Sequence, residues 1–254
     1  MSDLETLRAS VASVLVEENQ LFRALVPRAD HFSATSDQPL NTAYYVRHRI
    51  ETVHRVRATA RTDAMALACM VDEDYDAARL WAHYLEQEMN HDQLYLVDLS
   101  RHHISREQVL TIPWFPSTGE LVRYLITRIS IYGSLPAVAY SVFVEWNSER
   151  FSRGAVDRAA AAFSADHVKG ARAHLGIDDK DGHVATMIQV AHRIATKRGT
   201  SDLLFILLRE ISALFRAYFT ELHWWAVAQP SWTTNPNTDN GMESPKRSEG
   251  DRPS

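Results

Sequence analysis

The chain of 254 residues has little of several things, and each scarcity removes a class of explanation. It holds one cysteine, Cys69, so an internal disulfide is excluded, as is any zinc or iron–sulfur site built from thiolates of this chain alone. Glycine and proline number nine each, too few for a collagen-like or low-complexity protein. No stretch reaches about eighteen consecutive apolar residues, as a membrane-spanning helix requires. The opening MSDLETLRAS has no basic segment followed by an apolar run. Neither export nor membrane spanning is expected, and a reducing cytoplasm suits the lone thiol. Positive charge is not in surplus: 27 Lys and Arg stand against 32 Asp and Glu, a net charge of -5 with His neutral. Nucleic acid is therefore not an expected partner. Alternating strand-type runs and repeats of roughly 20 to 50 residues are also missing.

What is there is helical periodicity. Residues 3 to 26 place Leu4, Leu7, Val11, Val14, Leu15, Phe22 and Leu25 near a 3.6 period, with Asp3 as N-cap and Pro27 at the stop. A loop over 27 to 40 leads to Asn41, which opens a long helix to about Val71. The spacing predicts a further helix from Asp72 to about His103, acidic in its first turn as the dipole favours. Ser117 or Thr118 caps a run to Tyr132, which Gly133-Ser134-Leu135-Pro136 breaks. The next helix, PAVAYSVFVEW, is apolar on nearly every side and should be central. An alanine-rich helix over 155 to about 175, a glycine-interrupted stretch to 195 and a last helix from Asp202 to about Ala228 complete the pattern. Residues 231 to 254 carry too little apolar surface to offset their ordering entropy and read as a disordered tail. The expectation is one all-α bundle domain over 1 to 230.

Chemistry concentrates in LEQEMNHDQLYL, residues 85 to 96. On a helix, Glu88 and His91 stand one turn apart on one face, so that face offers two metal ligands or, more plainly, a solvated polar stripe. Di-metal bundle proteins present ligands inward with this Glu-x-x-His spacing. Glu145 is the sharpest single signal, because a carboxylate following PAVAYSVFV is protonated, paired with a cation, or bound to a metal. His174 and Asp178 share a face at i and i+4, with Asp181 and His183 following. Upstream, Glu51 and His54 share a face, and either one completes the set unless HRIETVHRVR is an exposed charged face. Mixed nitrogen and oxygen donors of this kind suit iron or manganese. Tyr140, Phe143 and Trp146 sit at helical spacing from Glu145 as pocket walls or core, and Arg123, Arg128 and Arg172 are candidates for a substrate carboxylate or for solvent.

These residues resemble the heme-oxygenase-like diiron oxidases and oxygenases, whose fold is a seven-helix bundle shared with heme oxygenase and thiaminase-like proteins. The resemblance covers roughly residues 41 to 228 and rests on LEQEMNHDQLYLVDL, the lone Glu145 in a central helix, and His174-Leu-Gly-Ile-Asp178. It implies the heme-oxygenase-like bundle, two Fe(II) ions per chain, O₂ as co-substrate and a small amino-acid- or fatty-acid-derived substrate. N-oxygenation, desaturation or oxidative C–C cleavage in specialised metabolism would be the chemistry. The implied ligands are Glu51 or His54, then Glu88, His91, Glu145, His174, Asp178 and His183. The pattern's last histidine falls on Asp181 here, and His183 lies two residues later after Gly182. Either a helical bulge brings His183 into register, or Asp181 is the ligand, or the second metal position is lost. Homodimer formation is left open. The rivals are a metal-free thiaminase-like enzyme, for which Cys69 in its apolar setting is a poor nucleophile, a heme-binding enzyme using His48 or His54, and a non-catalytic protein in which Glu88, Glu145 and Asp178 pair with arginines.

Overall fold

A computed structural model of the chain describes residues 2–31 and 33–229, without the side chains of 177–181. Asp178, Asp181 and the tail expected beyond 230 thus lie outside the described residues in side chain or entirely. Every regular element is a helix, with no strand among the described residues. No helix there is long and apolar enough to cross a membrane.

Helix α1 spans Asp3–Leu25. Its cap is Ser2 rather than Asp3: the Ser2 hydroxyl accepts from the Glu5 amide (3.3 Å) while the Glu5 carboxylate accepts from the Ser2 amide (2.8 Å). Helix α2, Thr42–Glu73, starts at Asn41, whose side chain takes the Tyr44 amide (2.9 Å). The single helix expected from Asp72 to His103 is two, α3 (Tyr75–Glu88) and α4 (His91–Arg101). Its start also moves, because Asp74 leaves helical geometry at φ -158° and turns its carboxylate to the Ala77 amide (2.9 Å). A short α5, Arg106–Thr111, stands where loop was expected, closed by a Ser105/Gln108 capping box. Helix α6, Pro116–Tyr132, begins with proline, whose missing N–H is one a helix start does not use, so Phe115 takes the cap position in place of Ser117 or Thr118.

Helix α7, Leu135–Asn147, is the buried rod that its composition predicts, with ten buried residues among its thirteen. One π turn, Ser148–Ser152, links it to α8, Arg153–Ala162. After a 3₁₀ turn come α9 (Lys169–Asp181), α10 (His183–Arg198) and α11 (Ser201–Val227). The main core gathers around α7, with Trp81, Leu125, Val138, Ile194, Leu207 and Ile211 all essentially inaccessible. A smaller core joins α2 to α4, α8 and α9 through Ile50, Val53, Leu99, Val156 and Ala171. Helix α2 contributes to both cores, which fixes it relative to the two halves of the bundle.

Two contacts set how the rods lie. The Asp98 carboxylate on α4 accepts from the amides of Gly170 (2.6 Å) and Ala171 (2.8 Å), satisfying donors that the start of α9 would otherwise orphan. The helices approach so closely here that a Cβ on Gly170 would sit 1.9 Å from the Leu94 carbonyl oxygen. Elsewhere, the Arg158 guanidinium on α8 donates to the carbonyls of Asp30 (3.1 Å), His31 (2.6 Å), Ser33 (3.2 Å) and Gln38, gathering the loop between α1 and α2 onto one side chain.

Gly170→Ala should cost about 1–3 kcal/mol by forcing α9 off α4, read as a lower urea midpoint with an unchanged slope. Burial pushes the Asp74 carboxyl up, but the Ala77 amide with Arg193 and Lys197 outweighs it and holds the group down to about 2. A carboxyl depressed in the folded state adds stability that is fully present above about pH 4 and lost as pH falls toward 2. Asp74→Ala should therefore cost about 1 kcal/mol at neutral pH and show a shallower acid limb in a melting-temperature profile.

Candidate metal centre

Glu88 is the last residue of α3 and His91 the first of α4, separated by the turn at Met89 and Asn90. The backbone stays near helical values through that turn, so the i, i+3 pair keeps its common face. His91 is buried, and its Nδ1 lies 3.0 Å from Glu88 Oε2. His174 on α9 sets its ring centroid 4.0 Å from that of His91 and 5.6 Å from Tyr95. Glu88, His91 and His174 each offer a ligand atom, all within 4.8 Å of one another.

A second group shares Glu88. Glu145, 3% exposed in the middle of the core, and His183 bring ligand atoms within 4.8 Å of one another and of Glu88. His183 Nδ1 stands 3.6 Å from Glu145 Oε2 and 3.7 Å from Glu88 Oε1. Those separations exceed a hydrogen bond and match two ligands on one ion with bonds of roughly 2.1 Å. The other ring nitrogen, Nε2, is 2.9 Å from Gln87 Oε1, so it carries the proton and Nδ1 turns its lone pair to the carboxylates. The Tyr84 hydroxyl donates to Glu145 Oε1 (2.8 Å). Burial, then the Glu145 and Glu88 charges, hold the Tyr84 phenol far above its usual pKa, so it stays a donor.

His183 reaches this position because the helix stops. Gly182 adopts φ 60°, ψ 45° between α9 and α10, a left-handed residue that restarts the chain in a new direction and makes His183 the first residue of α10. The device is a helix break rather than a bulge.

The remaining expected ligands fall elsewhere or outside the described residues. Glu51 is buried with its carboxylate saturated: Oε1 accepts from Arg47 Nη2 (2.5 Å) and the Phe115 amide (3.0 Å), and Oε2 from the Thr118 hydroxyl (2.6 Å). It anchors the start of α6 and belongs to neither group. His54 also belongs to neither group; it packs edge-on to Trp114, with its pKa lowered by burial. Of the three arginines considered for a substrate carboxylate, Arg128 pairs with Glu210 (2.8 Å), Arg172 lies 3.6 Å from Asp157, and Arg123 is exposed. His48 Nδ1 meets the Tyr218 hydroxyl at 2.9 Å. The Cys69 thiol is pushed up by burial, which weakens it as a nucleophile.

Helix α2 does place an acid near the centre, at a position outside the expected motifs. Asp63 is 6% exposed, its Oδ1 has no hydrogen-bond partner, and burial together with the Glu88 charge raises its pKa to about 8 in the metal-free chain. Like Glu145, it is a carboxylate bordering a run of apolar residues, here AMALACM, and that is the signal that would have found it. No lysine or arginine lies within ion-pair distance of Glu145 or Asp63 among the described residues.

Two cavities meet the cluster. The larger, about 910 Å³, is bordered by Glu88, Glu145, His174, Tyr140 and Phe143 and runs along α2 past Arg55, Thr52 and His48. A smaller one of about 380 Å³ reaches Glu145 and His183 and includes Trp146.

At the level of sequence, no family model and no curated protein matches this chain. Its structure is similar to that of a domain of unknown function with a heme oxygenase-like fold from Shewanella denitrificans, with TM-score 0.72 and 18% identity over 91% of this chain and 96% of that one. It is also similar to a TenA homolog from Pseudomonas syringae pv. tomato, with TM-score 0.68 and 14% identity over 88% of this chain and 98% of that one. The chain therefore has the heme-oxygenase-like all-α fold.

Because the second group depends on the left-handed turn, Gly182→Ala should cost about 1 kcal/mol in that conformation. Gly182→Asn, a residue that tolerates it, should cost less. A melting comparison of the two variants checks this, and equal losses would count against the turn.

Proposed function

We propose that this protein is an O₂-dependent non-heme diiron oxidase or oxygenase acting on a small organic molecule. One observation carries the reading: the Glu88 carboxylate is common to both candidate ligand groups, so both ions would draw on it if they were bound. Glu88, His91 and His174 would hold the first ion, and Glu88, Glu145 and His183 the second. Asp178, one turn beyond His174 in sequence, is retained as a further ligand. The donor set fits: imidazoles and carboxylates without thiolate favour iron or manganese over softer metals. The fit also answers an energetic question, since buried Glu145 has no lysine or arginine partner among the described residues, and uncompensated charge there would be costly.

When bound, two ferrous ions supply the electrons that reduce O₂ and so provide the oxidising power of the reaction. The chain's own residues do the rest. Tyr84 holds Glu145 by its hydrogen bond, and Gln87 fixes the His183 tautomer, so both ligands are oriented before any ion arrives. Tyr140, Phe143 and Phe215 line the large cavity and keep its interior apolar, excluding water from the substrate bound beside the cluster. Asp63, whose carboxyl keeps its proton at neutral pH in the metal-free chain, is a proton store beside Glu88.

Anaerobic titration of the metal-free chain with Fe(II) tests the proposal. Two ions per chain are expected for the wild type. His91→Ala and Glu145→Ala should each retain about one ion, while Glu88→Ala should weaken both positions together. Failure to take up iron at micromolar concentration, or unchanged uptake by Glu88→Ala, would remove the dinuclear reading.

A further inference from the structure

Just past Glu145 the chain sets a cation on a tryptophan. Trp146 follows Glu145 directly, is 3% exposed, and lines the small cavity together with Glu145 and His183. Arg150, in the π turn that continues α7, places its guanidinium carbon 4.1 Å from the centre of the indole ring. Its Nη1 donates to the Glu149 carboxylate (2.9 Å) and lies 3.5 Å from the Trp146 carbonyl oxygen, contacts that hold the group over the ring. A cation above an aromatic face is stabilised by the electron density of the ring, so the neutral, electron-rich indole is the form this contact favours.

The place of this contact gives it a meaning. Indole and phenol rings lose an electron more readily than other aromatic side chains, and both kinds stand beside the candidate ligands. Tyr84 donates its hydroxyl proton to Glu145 Oε1 (2.8 Å) and gives up an electron readily only if that proton leaves as well. Trp146 differs: its indole N–H has no acceptor among the described residues, so the proton stays and the loss of one electron puts a full positive charge on the ring. A guanidinium 4.1 Å away repels that charge, and more strongly among buried side chains than it would in water. Trp81 provides the contrast. It is fully buried, lies 5.5 Å from Tyr84, donates its N–H to the Asp63 carbonyl (3.0 Å), and has no arginine over its ring among the described residues.

We infer that Arg150 shields Trp146 from oxidation, keeping the indole reduced when oxidising power is released at the Glu88, Glu145 and His183 group with no substrate bound. Arg150 belongs to neither candidate ligand group and acts through Trp146, so it is a positioning residue. That an oxidant arises inside the protein rests on the diiron reading; the resistance of the ring to electron loss does not. The step it opposes is the transfer of one electron from the neutral indole, leaving the radical cation. Addition of water, with loss of a second electron and two protons, then gives a ring carrying one added oxygen. In the iron-loaded chain O₂ takes those two electrons and two more from the ferrous ions and ends as water. In the metal-free chain two azide radicals take them and end as azide ions.

The test compares the full-length wild type with Arg150→Gln and Arg150→Lys, both at a side chain 41% exposed, where substitution leaves the core intact. Each chain is treated in two ways: loaded with Fe(II) and exposed to O₂ without substrate, and, free of metal, exposed to azide radical, a neutral one-electron oxidant that Arg150 neither attracts nor repels. Peptide mass spectrometry reads the fraction of Trp146 carrying added oxygen, with Trp81 as the internal reference. Arg150→Gln should raise Trp146 oxidation by roughly 5- to 10-fold in both treatments and leave Trp81 unchanged. Arg150→Lys keeps the charge and should stay close to the wild type, an outcome that packing alone would not produce. Equal oxidation of Trp146 in the wild type and Arg150→Gln under azide radical, or Arg150→Lys as oxidised as Arg150→Gln, overturns the shield. A protected Trp146 under azide radical in a chain that takes up no iron sustains the shield and removes only the diiron reading. Two bound irons with no effect of Arg150→Gln in either treatment do the reverse.

Discussion

Acids are gathered where water is scarce, and that constraint governs the rest of the molecule. Glu145 and Asp63 lie among apolar side chains, Glu88 beside them is only partly exposed, and none of this is tolerable unless positive charge or protons occupy the space between. The fold meets the demand by converging on one point from five helices. Glu88 ends α3, His91 begins α4, Glu145 belongs to α7, His174 to α9 and His183 to α10. Each candidate ligand is thus held by a different packed element, and the surrounding core resists the repulsion between the carboxylates.

Convergence of this kind needs helices that stop in the right places. The turn at Met89 and Asn90 comes between Glu88 and His91, the left-handed Gly182 directly before His183, and the π turn shortly after Glu145. Irregularity is concentrated near the candidate ligands, while the long rods α1, α2 and α11 run without interruption. Local strain and lost helical hydrogen bonds are accepted where they re-aim a side chain.

Much of this was readable in the residues, for physical reasons. A helix such as α7, apolar all round, has nowhere to go but the middle, and a lone glutamate in it announces itself. The Glu88/His91 pair was legible because i, i+3 spacing survives a shallow turn. Other features were hidden by competition between local and distant partners. Asp74 looked like the first turn of a continuous helix, yet its carboxylate prefers the Ala77 amide and splits the chain there. Glu51 carries the same i, i+3 signature as a ligand, but Arg47, Phe115 and Thr118 claim both its oxygens, and two of those partners are more than sixty residues away in sequence. Asp63 was not legible because its meaning lies in the partner its Oδ1 lacks, and that emerges only when the helices are packed.

The hold of Arg158 on the loop between α1 and α2 has a consequence for traffic. Residues of that loop, among them Asp30, Ser33, Ala34 and Thr35, border the large cavity, yet the segment has no regular structure of its own and is gathered by one guanidinium on α8. Removal of that one side chain would deprive all four carbonyls of their donor at once. The loop's place at the edge of the cavity thus depends on a side chain that belongs to neither candidate ligand group.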